Sequence, residues 1–190
     1  PLHPVSYAQE SILIAHALMP NSSAWNIPLA RWFHGPLSIV SLRRALDIMI
    51  ARHPALRTTI HPSREGQLSQ RVDFTPPPDY FATTSVKSVT EAEREASALF
   101  DQALHLQVGA WRVRVFTVNE DRHLLAIVAH HSMIDGWSVG IFLRELQDLY
   151  PRCVLNEELN ATPAQVQHVD FSYWQRWSKS VSGDKSDDLE

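Results

Sequence analysis

The chain has 190 residues, of which 44% are hydrophobic and 20% charged, and its formal net charge is −4. This length fits one domain, or one lobe of a larger two-lobed protein, and the composition is that of a folded globular chain rather than a disordered one. The negative charge leaves no basic surface for a nucleic-acid backbone, so neither DNA nor RNA is expected as a partner.

Cysteine usage and the apolar runs indicate where the protein works. Cys153 is the single cysteine, so no disulfide can form within the chain, and no Cys/His spacing typical of zinc is present. Residues 124–129 form the longest apolar run, which is far too short to span a bilayer, and the N-terminus lacks the layout of a signal peptide. The sequence therefore predicts a cytoplasmic protein without a metal site and without membrane association.

Capping and turn residues delimit the elements of the first half of the chain. Ser6 before an apolar stripe is typical of a helix N-cap, and Pro54 ends a helical pattern because it restricts the residue before it. Between these helices, aromatic and β-favouring residues predict a strand. In chain order we expect helix 6–19, strand 25–33, helix 38–53, strands 56–60 and 67–74 around a turn at 62–66, and an exposed proline connector at 76–78.

The second half begins with a helix and continues with a β-hairpin. Residues 123–129 are almost wholly apolar, as expected for a central strand covered on both faces. Aromatic residues of the last helix, Tyr173, Trp174 and Trp177, are expected to pack against the sheet. The pattern indicates an α/β or α+β fold, with one mixed or mostly antiparallel sheet packed on helices. In chain order we expect helix 90–103, strands 111–118 and 123–129, helix 138–150, helix 162–181 and a polar tail or cut linker at 182–190.

The most informative residues stand where the apolar strand ends, at 130–136, His-His-Ser-Met-Ile-Asp-Gly. Successive side chains of a strand point to opposite faces, so His130 and His131 cannot both reach one pocket, and one of them must be structural. If His131 points into a cleft, its imidazole can act as a general base or hydrogen-bond donor near neutral pH. Asp135 then either orients that imidazole or holds the turn through an arginine, and Gly136 permits the tight turn.

Two other interpretations of these residues stay open on the spacing alone. An adjacent histidine pair at a strand end can be ordinary packing plus surface. A metal site is a weaker interpretation, because side chains of adjacent strand residues diverge and no third ligand follows at a suitable spacing.

Residues 130–136 match the HHxxxDG signature of the condensation domains of nonribosomal peptide synthetases, a family related to chloramphenicol acetyltransferase. Three further segments resemble motifs of that family in the same order. Residues 6–9 resemble its Ser-x-Ala-Gln motif, residues 52–58 its RHExLRT motif and residues 170–176 its D-[FY]-A-x-W-Q-R motif. The chain is thus identified as a member of the family, with residues 1–181 corresponding to the N-terminal lobe of a chloramphenicol acetyltransferase-like fold.

The resemblance implies a reaction and roles for the signature residues. Such domains join a donor acyl or peptidyl thioester to the amino group of an acceptor aminoacyl thioester, and so form an amide bond. His131 would be the catalytic base or the group that positions the amine, and His130 a fixed neighbour. Gly136 would supply backbone freedom and an amide N–H for the oxyanion.

The resemblance also implies structural and substrate-contacting residues around the signature. Asp135 is expected to form a buried ion pair with Arg57, whose disruption typically costs about 3 to 5 kcal/mol. In this interpretation the Asp135–Arg57 pair locks the turn that carries His131, so an Asp135 that faces solvent with no arginine nearby would overturn the acyl-transfer interpretation. Trp137 and Ser138 are candidates for the wall of the substrate tunnel, although a tryptophan there is more often part of a core.

The implied partners are the peptidyl or acyl carrier proteins with their phosphopantetheine arms, a C-terminal condensation lobe and an adenylation domain of the same assembly line. No cofactor is expected on this lobe itself, and the isolated lobe is expected to be incomplete and inactive. Two alternatives remain: a carrier-docking or gatekeeping module without chemistry, and an acyltransferase that uses free coenzyme A thioesters.

Overall fold

The computed structural model describes residues 1–62, 67–73, 75–77 and 79–182. Helices and strands alternate along these ranges, as the apolar patterning predicts. In chain order the elements are β1 (His3–Pro4), α1 (Tyr7–Leu18), β2 (Asn26–His34), α2 (Ile39–Arg52), a 3₁₀ turn (Pro54–Arg57), β3 (Thr58–Pro62), β4 (Leu68–Val72), β5 (Phe81–Ser85), α3 (Val89–Phe100), β6 (Trp111–Asn119), β7 (Arg122–His130), α4 (Gly136–Val154) and α5 (His168–Ser182).

The strands form two sheets. The larger has the order β2-β7-β6-β5, in which β7 is antiparallel to both neighbours and β5 joins parallel to β6. The smaller has the order β1-β4-β3 and is antiparallel throughout. The fold class is therefore confirmed as mixed and antiparallel sheets packed on helices, although the strands divide between two sheets rather than one.

Strand β7 lies at the centre of the larger sheet, and every residue of it after Arg122 is buried. Leu125 and Ile127 pack with residues of α2 and α4 on one face, whereas Leu124 and Val128 pack with residues of α3 and α1 on the other. The alternation of side chains along a strand makes both faces apolar, which explains the continuous apolar run in the sequence. The strand that carries the signature is thus fixed in the interior.

Most helices begin at a side chain that accepts a hydrogen bond from a backbone N–H of the first turn. Ser6 does so for α1, as predicted, and Ser38 does so for α2, at the residue where the helical pattern was predicted to begin. Ser88 caps α3, so that helix begins at Val89, one residue before its predicted start. Asp135, and not Ser138, caps α4. These caps satisfy N–H groups that have no partner within the helix.

Two helix boundaries differ from the prediction for local reasons. Helix α4 continues past Pro151, because Cys153 is only 1% exposed and its packing in the core holds the last turn. Helix α5 begins at His168 rather than at residue 162, because Thr162 donates its backbone N–H and its hydroxyl to the side chain of Asn160 and so forms a local turn.

Helix α5 packs on the N-terminal segment through polar side chains. Ser172 is fully buried, and the Arg176 guanidinium donates to the Val5 carbonyl over 3.0 Å and to the Glu10 carboxylate over 2.8 Å. The prediction that the aromatic residues of this helix pack on the sheet is wrong for Trp174 and Trp177, because other helices already cover the larger sheet. Tyr173 does contact a strand, since its ring packs against His3 of β1 in the smaller sheet. The exposed fractions of these side chains are 49% for Tyr173, 59% for Trp174 and 64% for Trp177.

One strand, β5, was not predicted from the sequence. Strand β5 is an edge strand of five residues that pairs only with β6, and the prolines before it hide its pattern. The predicted proline connector is not wholly exposed, because Pro77 is buried. Pro77 packs so closely on Gly109 that a Cβ atom added at Gly109 would clash with the proline ring. Residues 63–66 of the predicted turn at 62–66, Phe74, Pro78 and the tail from residue 183 lie outside the described residues.

Candidate active site

The signature residues connect the end of β7 to the beginning of α4. His130 is the last residue of the strand and Gly136 the first of the helix. The connection is held at its start by backbone bonds: the N–H of His131 donates to the Trp25 carbonyl over 2.8 Å, and the N–H of Met133 donates to the His130 carbonyl over 2.9 Å. A short segment anchored at both ends therefore presents these side chains.

His130 is enclosed in the protein. Its side chain is 1% exposed, Nδ1 lies 2.8 Å from Ser132 Oγ, and Nε2 lies 3.2 Å from Nδ1 of His16 on α1. Burial, followed by the neighbouring His16 and His131, lowers the pKa of His130 to about 4. The ring is therefore neutral at pH 7, in keeping with a structural role.

His131, in contrast, is exposed, and its ring has no hydrogen-bond partner among the described residues. The two histidines thus lie in different surroundings, as the alternation of strand side chains predicts. An exposed imidazole that no described residue engages by a hydrogen bond is available to a substrate. Its catalytic role stays a prediction.

A buried amide holds the signature from the side of α1. The Gln9 side chain is 4% exposed; its Nε2 donates to the Ser132 carbonyl over 3.1 Å, and its Oε1 accepts from the Ser6 N–H over 2.9 Å. Gln70 on β4 lies beside it and donates to Ser172 Oγ over 3.2 Å. Three of the four segments that resemble family motifs thus meet in one hydrogen-bonded network.

Sequence reasoning missed this network. The resemblance marked the positions of Ser6 and Gln9 but gave them no task, and nothing in the sequence singled out Gln70. A glutamine that follows a helix N-cap by three residues also closes a capping box, as Gln9 does here. That local pattern was the signal available for Gln9.

The predicted ion pair between Asp135 and Arg57 is wrong. Asp135 is exposed, and its Oδ1 accepts from the Ser138 N–H over 2.8 Å and from the Ser138 hydroxyl over 2.6 Å. The Arg57 guanidinium donates instead to the carbonyls of Ile50 and Asp73. The unpaired N–H groups at the start of α4 compete successfully for the carboxylate. Hydrogen bonds from Ser138, and more weakly the charge of His131, lower the pKa of Asp135.

This geometry changes what an Asp135→Ala variant should do. Loss of an N-cap costs about 0.5 to 2 kcal/mol, whereas loss of one partner of a buried ion pair costs about 3 to 5 kcal/mol. We expect the smaller value from urea unfolding, and Asp135→Ser, which can still cap the helix, should recover most of it. A cost above about 3 kcal/mol would restore the ion-pair interpretation.

Gly136 and Trp137 also differ from expectation. Among the described residues Gly35 is the glycine with a positive φ, and a Cβ atom at Gly136 would meet nothing within 4 Å. The backbone here therefore does not require glycine for its conformation, which corrects that part of the prediction. Trp137 is 79% exposed, so it does not belong to the core of this chain and stands at the rim of the signature.

A cavity of about 180 Å³ opens beside the signature, and we call it the motif cavity. It is lined by Ala129 and Met133, which stand two residues before and after His131 in the chain, and by Ser138 of α4. His53 contributes the other polar group of the wall. The remaining side chains that line it are apolar: Ala55, Leu56, Trp111, Ile134, Ile141 and Phe142.

The polar groups of this wall are already paired within the protein. The His53 imidazole contacts the Glu145 carboxylate, which also accepts from the Arg52 guanidinium over 2.7 Å. Burial opposes the charge of Glu145, but hydrogen bonds from Arg52 and His53 outweigh it and lower the pKa of this carboxyl. These contacts connect the segment 52–58 to α4 and fix one side of the motif cavity.

The buried histidine makes stability depend on pH. The pKa of His130 is about 4 in the folded protein, against 6.5 in an unfolded chain, so between these values the unfolded state binds more protons and stability falls as pH falls. We expect the free energy of unfolding to drop by up to about 3 kcal/mol from pH 7 to pH 4. The lowered pKa of His16, which burial and His105 cause, acts in the same direction.

Urea unfolding across this range tests the expectation. The variant His130→Gln removes the titrating ring, so its stability should change less between pH 6.5 and pH 4 than that of the native protein. Carboxylates with lowered pKa values, such as Glu145, also reduce stability as pH falls below about 5, but both proteins retain them, so the difference between the two proteins reports on His130. An equal pH dependence in the two proteins would contradict the assignment.

Other kinds of site find no support in the described ranges. No three His, Cys, Asp or Glu side chains there come together as ligands for a metal ion. None of the helices described is both long enough and apolar enough to cross a membrane.

Comparison with known proteins shows which family the chain resembles. The family model "Condensation domain" matches residues 2–187. Chondramide synthase cmdD of Chondromyces crocatus is 35% identical over 179 residues, which is 90% of this chain and 4% of that protein. Nonribosomal peptide synthetase penN of Penicillium thymicola is 34% identical over 182 residues, or 92% of this chain and 6% of that protein.

Solved structures share the fold. The first condensation domain of the calcium-dependent antibiotic synthetase, in complex with a substrate analogue, superposes with a TM-score of 0.80 at 21% identity, over 95% of this chain and 44% of that one. The X-domain in its complex with OxyB from teicoplanin biosynthesis gives a TM-score of 0.83 at 21% identity, over 97% of this chain and 40% of that one. The chain spans less than half of these solved chains. With a family model that covers residues 2–187, and with synthetases among its relatives, the chain belongs to the condensation-domain family of nonribosomal peptide synthetases.

Proposed function

We propose that this chain is the N-terminal lobe of a condensation domain, and that the complete domain joins a donor acyl or peptidyl thioester to the amino group of an acceptor aminoacyl thioester. The observation that carries the proposal is the position of His131. Its ring is exposed and has no hydrogen-bond partner among the described residues, yet the residue directly follows a strand buried on both faces. Ala129 and Met133, two residues to either side of His131, line an apolar cavity. A reactive group placed on a rigid element in this way is typical of an active site.

The proposed step is attack by the acceptor amine on the donor carbonyl. The nitrogen lone pair forms the new C–N bond, the C–S bond breaks, and the sulfur leaves as the thiol of the donor's phosphopantetheine arm after taking up the proton that the amine loses. His131 holds the amine in the attacking orientation and accepts that proton on its way to the sulfur.

The beginning of α4 provides a candidate for stabilising the oxyanion formed in this step. Gly136 is its first residue, and N–H groups in the first turn of a helix have no acceptor within it. The open space around the Gly136 Cα would let a substrate approach the backbone. We therefore propose its N–H as an oxyanion donor, with Trp137 and Ser138 in the adjoining wall of the substrate tunnel.

A second lobe would complete the site. The chain covers 44% of the solved condensation-domain chain, which leaves room for a C-terminal lobe of similar size. Large apolar side chains near the signature and along α5 are exposed, as is typical of a surface that another part of a protein covers. These side chains are Trp137 at 79%, Ile141 at 40%, Phe171 at 42%, Trp174 at 59% and Trp177 at 64% exposure.

The proposed partners follow from the reaction. Two carrier proteins would present their thioesters on phosphopantetheine arms, and an adenylation domain of the same assembly line would supply the activated amino acid. We place the reaction in the cytoplasm, where such thioesters are made.

The test combines the complete domain with one donor and one acceptor carrier, each loaded with its thioester. We expect mass spectrometry of the acceptor arm to show the amide product, and we expect none from the 190-residue chain alone. Product from the isolated chain would refute the need for a second lobe. Carrier binding without product would support a docking or gatekeeping module, and efficient competition by free coenzyme A thioesters would support an acyltransferase.

A further inference from the structure

The motif cavity extends inward from the signature. A second, smaller cavity lies next to it and shares Leu56, Trp111 and Phe142 with it. The described side chains that line the smaller cavity are all apolar, and Ile127 and Val139 are among them. The two cavities share part of their walls and together form one apolar recess between β7 and α4.

The two polar side chains of the described wall already have partners within the protein. Ser138 Oγ donates to the Asp135 carboxylate, and Nε2 of His53 is engaged by Glu145. A polar ligand group would therefore find few partners to replace the water that it loses, which is unfavourable. An apolar group gains by leaving water, so the recess selects for apolar chemistry.

The volume sets the size of the occupant. A cavity of about 150 Å³ lined by leucine, isoleucine and phenylalanine holds one benzene molecule. The motif cavity, at about 180 Å³, therefore has room for a phenyl ring or a branched aliphatic group but not for a long chain.

The cavity also borders the segment that carries His131. Met133 and Ala129 line it, and each is two residues from His131. Two residues span at most about 7 Å, so the wall of the cavity includes residues whose backbone lies within that distance of the His131 backbone.

We infer that the motif cavity binds the apolar side chain of one of the two aminoacyl substrates, up to the size of a phenylalanine or leucine side chain. The inference rests on the proposed function and names the substrate class that this site selects. Donor and acceptor side chains have the same chemistry here, so the experiment separates them.

The experiment measures kcat/KM for amide formation by the complete domain. In one arm the donor carries alanine, leucine or phenylalanine against a constant acceptor; in the other arm the acceptor varies in the same way. Because a difference of one methylene is worth about 10- to 200-fold in an apolar pocket, we expect leucine or phenylalanine to exceed alanine at least tenfold in one arm.

Ile141 supplies the variant, because it lines the cavity and is not one of the buried core residues of this lobe. In Ile141→Trp the loss of kcat/KM for phenylalanine should be at least tenfold larger than the loss for alanine. The control Ile14→Trp changes a residue of α1 that is 54% exposed and does not line the cavity, and it should shift neither substrate more than twofold.

A preference that Ile141→Trp abolishes in one arm supports the inference and identifies the substrate. Equal rates for all three side chains in both arms would overturn the inference and leave the proposed function intact. The same conclusion would follow if Ile141→Trp lowered kcat/KM equally for alanine and phenylalanine, because another part of the domain would then fill the cavity. Absence of amide from every pair refutes the proposed function, and the inference with it.

Discussion

Replacing His131 with alanine is expected to lower the rate of amide formation by the complete domain by about 10²- to 10⁴-fold, the range that a positioned proton-transfer group contributes. The fold should not change, because the His131 ring is exposed and has no hydrogen-bond partner among the described residues. Single-turnover kinetics with preloaded carriers measure the rate, and urea unfolding of the same preparation should give a stability within about 0.5 kcal/mol of the native protein.

Two other histidines serve as controls for this variant. His34 is exposed at the far end of β2, and His34→Ala should leave both rate and stability unchanged. His130→Ala should instead lower stability, because it breaks the buried bonds to Ser132 and His16. An undiminished rate in His131→Ala would end the catalytic assignment, and a rate lost only together with the fold would reduce it to a structural one.

Replacing Gln9 with leucine should have the largest effect on stability among the residues around the signature. The change leaves the buried Ser6 N–H and the Ser132 carbonyl without their partner. Each unsatisfied buried group costs about 1 to 3 kcal/mol, so we expect the free energy of unfolding to fall by about 3 kcal/mol. Because Gln9 holds the backbone next to His131, amide formation per folded molecule should fall as well.

Gln107→Leu is the matched control for that variant, because Gln107 is exposed and lies outside the network. It should change stability by no more than about 0.5 kcal/mol. A Gln9→Leu variant as stable and as active as this control would show that the network does not hold the signature.

Features that depend on residues close together in the chain could be predicted well from the sequence. The apolar run of β7, the serine cap of α1 and the different surroundings of His130 and His131 all follow from the periodicity of a strand or from hydrogen bonds within one turn. Such features involve neighbours in the chain, so the printed residues contain most of the information.

Pairing between distant segments was not readable in the same way. Arg57 and Asp135 carry opposite charges, but each has closer partners. The Ser138 N–H, three residues away, donates to Asp135, and Arg57 donates to nearby backbone carbonyls. The edge strand β5 and the outward aromatic face of α5 were missed or misjudged because they depend on which surfaces other elements have already covered. Gln70 joined the site through the fold alone.

The loss of the Arg57–Asp135 pair changes what supports the acyl-transfer interpretation. That interpretation ties His131 to a turn locked by an arginine, and the structure removes this lock. Gln9 now supplies the link between α1 and the signature, and membership of the condensation-domain family rests on the match over residues 2–187.

Strand β7 pairs with β2 along its whole length and with β6 on its other edge. Amide protons in such a strand exchange with deuterium only when the whole molecule opens, whereas those of an exposed helix start exchange through local fluctuations. A steep gradient of exchange is therefore expected between His130 and Ser138. Any motion that adapts residues 130–138 to an arriving thioester would therefore involve the start of α4. The end of β7 would stay fixed as long as the protein is folded.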